Sequence, residues 1–264
     1  MRKTLHVTLF LLIVFSALNA TAQDAHPMGD EEDNKWGFHI TPYALLAAQS
    51  TDVDGEKIRQ SFNDLSSITN AGFQLSTGVR YKKFLLSLDG TYADLKGGIS
   101  STLLNVDVNI TQYILDAKLG YLIHSSIHLD AKDEVIRGWS LEANLGVKYW
   151  KNDVNIKLDG LIDENIPELQ EWSDIMVGVK SRFILNRKVF LGITGSIGGF
   201  NLYESASKLS WDFTYANTFV VSKHVWITAG FRTFRYNRTD GEGDAAVNTK
   251  VAVLGPILGL SIVL

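Results

Sequence analysis

From Trp36 onward, apolar and polar residues alternate with a period of two, the pattern of strands whose side chains face opposite ways. In 73–81, Phe73, Leu75, Thr77, Val79 and Tyr81 share one face and Gln74, Ser76, Gly78 and Arg80 the other. The segment 84–92 sets Phe84, Leu86, Leu88 and Tyr92 against Ser87, Asp89 and Thr91. The split recurs in 141–149, 174–183 and 209–215, where Leu209, Trp211, Phe213 and Tyr215 oppose Ser210, Asp212 and Thr214. Such a chain is all-β.

Alternation alone suits a soluble sandwich as well as a membrane barrel. Three features favour the barrel. Tyr, Trp and Phe border the apolar faces near strand ends, as interfacial girdles do. The polar faces carry glycine and mid-strand charges, which suit a polar lumen and are costly in a dry core. Connections alternate between tight joints (82–83, 186–188, 222–224) and longer polar ones (49–66, 158–171, 238–246), the asymmetry of periplasmic turns and outer loops. The expected fold is therefore a transmembrane antiparallel up-and-down β-barrel of about ten strands, with eight or twelve as alternatives.

The ten spans are 36–48, 67–82, 83–96, 99–123, 137–158, 172–186, 187–203, 207–221, 224–238 and 247–263. An even count puts both termini on the periplasmic side. In the fourth span Leu104, Val106, Val108 and Ile110 are in phase, but Tyr113, Leu115, Leu119 and Tyr121 then take over. This flip predicts a bulge near Thr111-Gln112, or an extra hairpin there. The 124–136 connection is long for a periplasmic turn.

Ahead of the strands, Arg2 and Lys3 precede an apolar run through Leu9 to Val14, and Ala20-Thr21-Ala22 offers a small-x-small cleavage site. Residues 1–22 are expected to be a cleaved secretory signal and 23–35 a short flexible tail, leaving 36–264 as the barrel. The chain has no cysteine, which excludes disulfides, thiolate metal sites and cysteine nucleophiles. Its net charge of −4 gives no support to nucleic-acid binding.

The carboxyl end, Gly259-Leu260-Ser261-Ile262-Val263-Leu264, is similar to the terminal strand read by the outer-membrane assembly machinery, with leucine in place of the usual final aromatic. More broadly, the chain resembles the small bacterial outer-membrane β-barrel proteins, most of them without an assigned activity. The resembling pieces are Trp36 with Thr41-Pro42-Tyr43, Gly78-Val79-Arg80-Tyr81, Asp89-Gly90-Thr91-Tyr92, Gly146-Val147-Lys148-Tyr149-Trp150, Gly198-Gly199-Phe200, Gly230-Phe231-Arg232 with Tyr236, and Gly255-Pro256 with Gly259. The resemblance implies fold and an integral outer-membrane location, with membrane lipids and lipopolysaccharide as partners. It carries over no catalytic residue.

Candidate chemistry is sparse. His124 and Ser126 have the His-x-Ser spacing of outer-membrane lipid A deacylases, but they fall at an expected periplasmic connection without an orienting carboxylate. His124 and His128 lack a third metal ligand. Asp52, Asp54 and Glu56 around Gly55 look like half a calcium loop and read better as a solvated outer loop. Asp240-Gly241-Glu242-Gly243-Asp244 reads as an acidic loop tip. Gly195 to Gly199 lies in a strand pattern and is no phosphate loop.

The inward charges stand out. By phase they are Arg80, Lys118, Lys148, Lys180, Arg182 and Arg232, opposed by Asp89, Asp116, Glu142, Asp174 and Asp212. They predict either a salt-bridged plug or an ion-selective path. A ten-stranded barrel is close to the size that side chains fill, so the plug is preferred. The expectation is a non-enzymatic outer-membrane barrel without cofactor or metal, with a structural or surface-interaction role. A narrow pore and a lipid-modifying enzyme follow as alternatives.

Overall fold

The computed structural model describes residues 36–100, 104–129, 135–160, 164–241, 243 and 246–264. The expected signal and tail (1–35), and Glu242 and Asp244, lie outside these residues. In chain order come β1 (Trp36–Leu45), β2 (Ala48–Val53), β3 (Glu56–Gln60), α1 (Phe62–Ile68), β4 (Thr69–Tyr81), β5 (Phe84–Ser100) and β6 (Leu104–Leu129). Then follow β7 (Val135–Gly160), β8 (Glu164–Asn186), β9 (Val189–Gly198), β10 (Leu209–Val220), β11 (Val225–Asp240) and β12 (Val247–Val263).

Each strand from β4 to β12 pairs antiparallel with the next, and β1 pairs with both β4 and β12, so the sheet closes. β1 and β2 are two halves of one barrel strand, since both lie along β12. The break at Leu46–Ala47 sits where a Cβ on Gly255 would come within 2.1 Å of the Leu46 carbonyl oxygen. Closure is completed by reciprocal 2.9 Å hydrogen bonds between the backbones of Phe38 and Leu264. The result is the expected closed antiparallel barrel of ten strands.

Several local expectations are corrected. No bulge interrupts Thr111–Gln112, which pair in unbroken register with Asp153 and Asn152 on β7 and with Asp94 and Ala93 on β5. The apolar phase flips because the surroundings change: Ile114 packs inside the barrel, whereas Leu115 and Leu119 face outward. The register shifts instead at Leu122/His124 and His128/Leu129, and no extra hairpin forms. The long 124–136 connection is mostly strand, because β6 runs to Leu129 and β7 begins at Val135. The 158–171 loop is likewise largely taken up by β7 and β8. The 49–66 loop folds into the β2–β3 hairpin and most of α1. Asp54 and Gly55 form its turn, both with positive φ, as a type I′ turn requires.

Outward faces are apolar and exposed, with Leu145 57% and Leu119 54% accessible. Two aromatic rows bound this band. Trp36 stacks on Tyr81 and Phe84 meets Tyr121 edge-on near the short turns, while Phe73 pairs across the ladder with Tyr92, which packs on Tyr113. On β5 the rows at Phe84 and Tyr92 lie about 26 Å apart along the strand, or about 20 Å across the layer once the strand tilt usual in such barrels is applied. β6, β7 and β8 continue well beyond the second row as a projecting wall.

Candidate functional site: the barrel lumen

All eleven charges singled out from the sequence project to the interior face, and ten of them fall into two tiers. The upper tier is a chain of contacts across the lumen. Asp89 on β5 accepts from the Tyr43 hydroxyl (3.0 Å) and from Arg232 Nη1 (2.8 Å). Arg232 Nη2 donates to Asp212 Oδ2 on β10 (2.8 Å), which also accepts from Lys148 Nζ on β7 (2.7 Å). Two carboxylates thus meet two cations, with Lys148 only 1% exposed. Asp174 stands apart: it is fully buried and accepts from the Ser207 amide (2.8 Å) and hydroxyl (2.9 Å). That contact pins the loop 199–208 inward. Gly199 opens the loop at φ +84°, where a Cβ would meet the Ser207 carbonyl oxygen at 2.5 Å.

The lower tier lies toward the short turns. Arg80 Nη2 donates to Glu142 Oε2 (2.5 Å), and Lys118 Nζ pairs with Asp116 (2.8 Å) and reaches the Ser196 hydroxyl (3.3 Å). Lys180 and Arg182 complete the tier, and among the described residues neither has an ion-pair or hydrogen-bond partner. Inward glycines make room for these long side chains: a Cβ on Gly120 would lie 2.5 Å from the Glu142 carboxylate, and one on Gly146 would lie 2.6 Å from Lys118 Cγ.

On the far side of the upper tier from the short turns, rings fill the lumen. Trp150 stacks on Trp172 (centroids 5.6 Å, planes 11° apart), and Tyr236 lies 5.0 Å from each. Phe234, Ile114, Val251 and Val253 complete the cluster. Cations border it, Lys148 lying 4.9 Å from both the Trp150 and Phe234 rings and Arg238 lying 4.6 Å from Trp172. On the turn side of the upper tier is a cavity of about 350 Å³, reaching Gly37 and Val263 at the turn end.

Sequence reasoning passed over His39, Tyr43 and the four inward rings. The signal was available, because Trp150 continues the parity of Glu142, Asn144, Gly146 and Lys148, and Tyr236 continues that of Arg232. The other candidates do not assemble. His124 and Ser126 share no hydrogen bond among the described residues, and His124 packs on Trp139 at 4.9 Å. Asp52 accepts from the Gly55 amide and Asp54 from the Asn248 amide, so both serve the hairpin. Among the described residues no cluster of metal-ligating side chains forms.

No family model and no curated protein matches the chain in sequence. Solved structures do match in shape. The outer membrane protease OmpT from Escherichia coli superposes with a TM-score of 0.54 at 8% identity, over 89% of this chain and 100% of that one. Neisserial surface protein A matches over 86% and 96% (TM-score 0.35, 12% identity), and Ail of Yersinia pestis over 87% and 98% (0.37, 13%). The fold is that of bacterial outer-membrane β-barrels. At such identity the likeness extends to the fold alone.

Proposed function

We propose that this chain is a non-enzymatic integral outer-membrane barrel with a closed lumen, working through its outer surface rather than by transport. The observation that carries this reading is the stack inside the barrel. A hydrogen-bonded chain of charges from β5 to β7 lies against a cluster of four rings, and together they occupy the section an ion would have to cross. The exposed apolar band between two aromatic rows supports residence in a bilayer, because such a surface is costly in water. In this reading the short turns and both termini face the periplasm. The projecting strands of β6, β7 and β8 then rise above the outer leaflet, where lipopolysaccharide and other surface partners are met.

Planar-bilayer recording of the refolded protein tests the closed lumen. Silent membranes are the expected result, and steady ion-selective current would replace the plug with a pore. Co-fractionation with outer membranes tests the location, and recovery as a monodisperse protein without detergent would refute it.

A further inference from the structure

We propose that the cavity on the turn side of the upper tier is a binding site for a small diffusible oxyanion, a phosphate or carboxylate, held by Lys180 and Arg182 with Arg80. These cations enter the cavity from β8 and β4, and its volume of about 350 Å³ sits at the small end of ligand pockets. The tier holds more cations than its carboxylates neutralise. Glu142 stands directly across the ladder from Lys180, but its Oε2 is held by Arg80; Lys118 holds Asp116 Oδ2, and Asp116 Oδ1 is buried without a partner. Lys180 and Arg182 face one another's charge and share with Arg80 the single attracting carboxylate of Glu142.

Two further observations place the demand for an anion here. Arg80 Nη1 is buried with no hydrogen-bond partner, a donor still available beside the one that Glu142 occupies. Lys180, Arg182 and Arg80 all lie close enough to act electrostatically on the His39 ring, so the three charges converge on one region of the lumen. Like charges held together away from bulk water are costly, and a bound oxyanion with several acceptor atoms would relieve that cost. On the far wall Phe190 packs on Trp226 (5.6 Å), which gives a short apolar body somewhere to lie. The barrel wall separates the cavity from surrounding lipid, which favours a free solute over a lipid headgroup. The proposal goes beyond the closed-lumen reading and does not depend on whether the ring cluster conducts.

The test is calorimetric titration of the full chain, refolded in non-ionic detergent, with inorganic phosphate and with hexanoate at fixed ionic strength set by chloride. At least one probe should bind saturably at a single site with a Kd of about 1 mM or tighter. Lys180→Gln with Arg182→Gln should weaken it at least about tenfold. A second variant covers misfolding of the first. Thr194 lies across the ladder from Lys180 and lines the cavity. Thr194→Glu should supply the missing carboxylate internally, raising the melting temperature in chloride while abolishing binding of the probes. Absence of saturable binding to the wild type overturns the proposal, as does binding that persists unchanged in these variants.

Discussion

Glu142 sits opposite Lys180 across the β7–β8 ladder, yet its carboxylate reaches past this neighbour to Arg80 on β4, 2.5 Å from Nη2. Lys148 repeats the pattern. Its ladder partners are Asp116 and Asp174, but its ammonium crosses the lumen to Asp212 at 2.7 Å. In a barrel this narrow, long inward side chains meet others from distant strands as readily as those beside them. Each cross-lumen pair therefore ties together strands that share no backbone hydrogen bond, and the tier acts as a brace on the barrel's section.

Removing one member of such a brace should be expensive. Glu142→Ala leaves Arg80, Lys180 and Arg182 without a nearby carboxylate, a loss of about 3–5 kcal/mol where the site is dry. Glu168→Ala, on the exposed wall of β8, should cost little. Urea midpoints of the two variants refolded side by side measure the difference, and equal midpoints would dismiss the brace.

The outward face makes a separate prediction. Leu145 lies in the apolar band and is 57% exposed, while its chain neighbour Asn144 lines the cavity. Leu145→Arg should impair insertion, because a cation facing mid-bilayer costs about 2–4 kcal/mol in such barrels. Asn144→Gln should fold and insert normally. The heat-modifiable band on gels reads both, and similar yields would mean that the outward face is not lipid-facing.

How much of this was legible follows from what period two can and cannot say. Parity sorts side chains by face, so it is enough to put Arg80, Glu142 and Asp212 on the side opposite Val79, Leu141 and Phe213. It also carries on to Trp150, Trp172 and Tyr236, but an aromatic residue near a strand end suits an interfacial girdle as well as a lumen, so parity alone does not bring these rings inside. Parity says nothing of height, so the change of surroundings around Ile114 looked like a slip in register. Nor does it say which charge across the lumen meets which. Pairing of Glu142 with Arg80 depends on curvature and on the space left by Gly120, and neither is written in the alternation.

The inward Gly146 and the outward Gly195 should differ sharply. A Cβ at Gly146 would lie 2.1 Å from the Ala117 carbonyl oxygen, a backbone contact that no rotamer change relieves. Gly195 faces open space. Gly146→Ala should therefore destabilise the barrel by about 1–3 kcal/mol, and Gly195→Ala should be close to neutral. Thermal unfolding in detergent decides it, and equal melting temperatures would argue against the close approach of β6 and β7 at this point.

The proposed closed lumen stands or falls with the ring cluster. Trp150 touches Trp172, Phe234 and Tyr236, so it is the ring whose loss opens the largest connected space. Trp150→Ala alone should lower stability by about 3–5 kcal/mol. Paired with Tyr236→Ala, it should leave the charged chain through Asp212 and Arg232 facing a solvent-accessible opening. If the rings are the seal, the double variant will show small, frequent current steps in planar bilayers where the wild type is silent. Arg232→Gln added to it should then raise the conductance, because the remaining chain of charges would lose its central link. A double variant as silent as the wild type would move the seal from the rings to the charges themselves. Current through the unmodified protein would remove the seal altogether and make the lumen a pore.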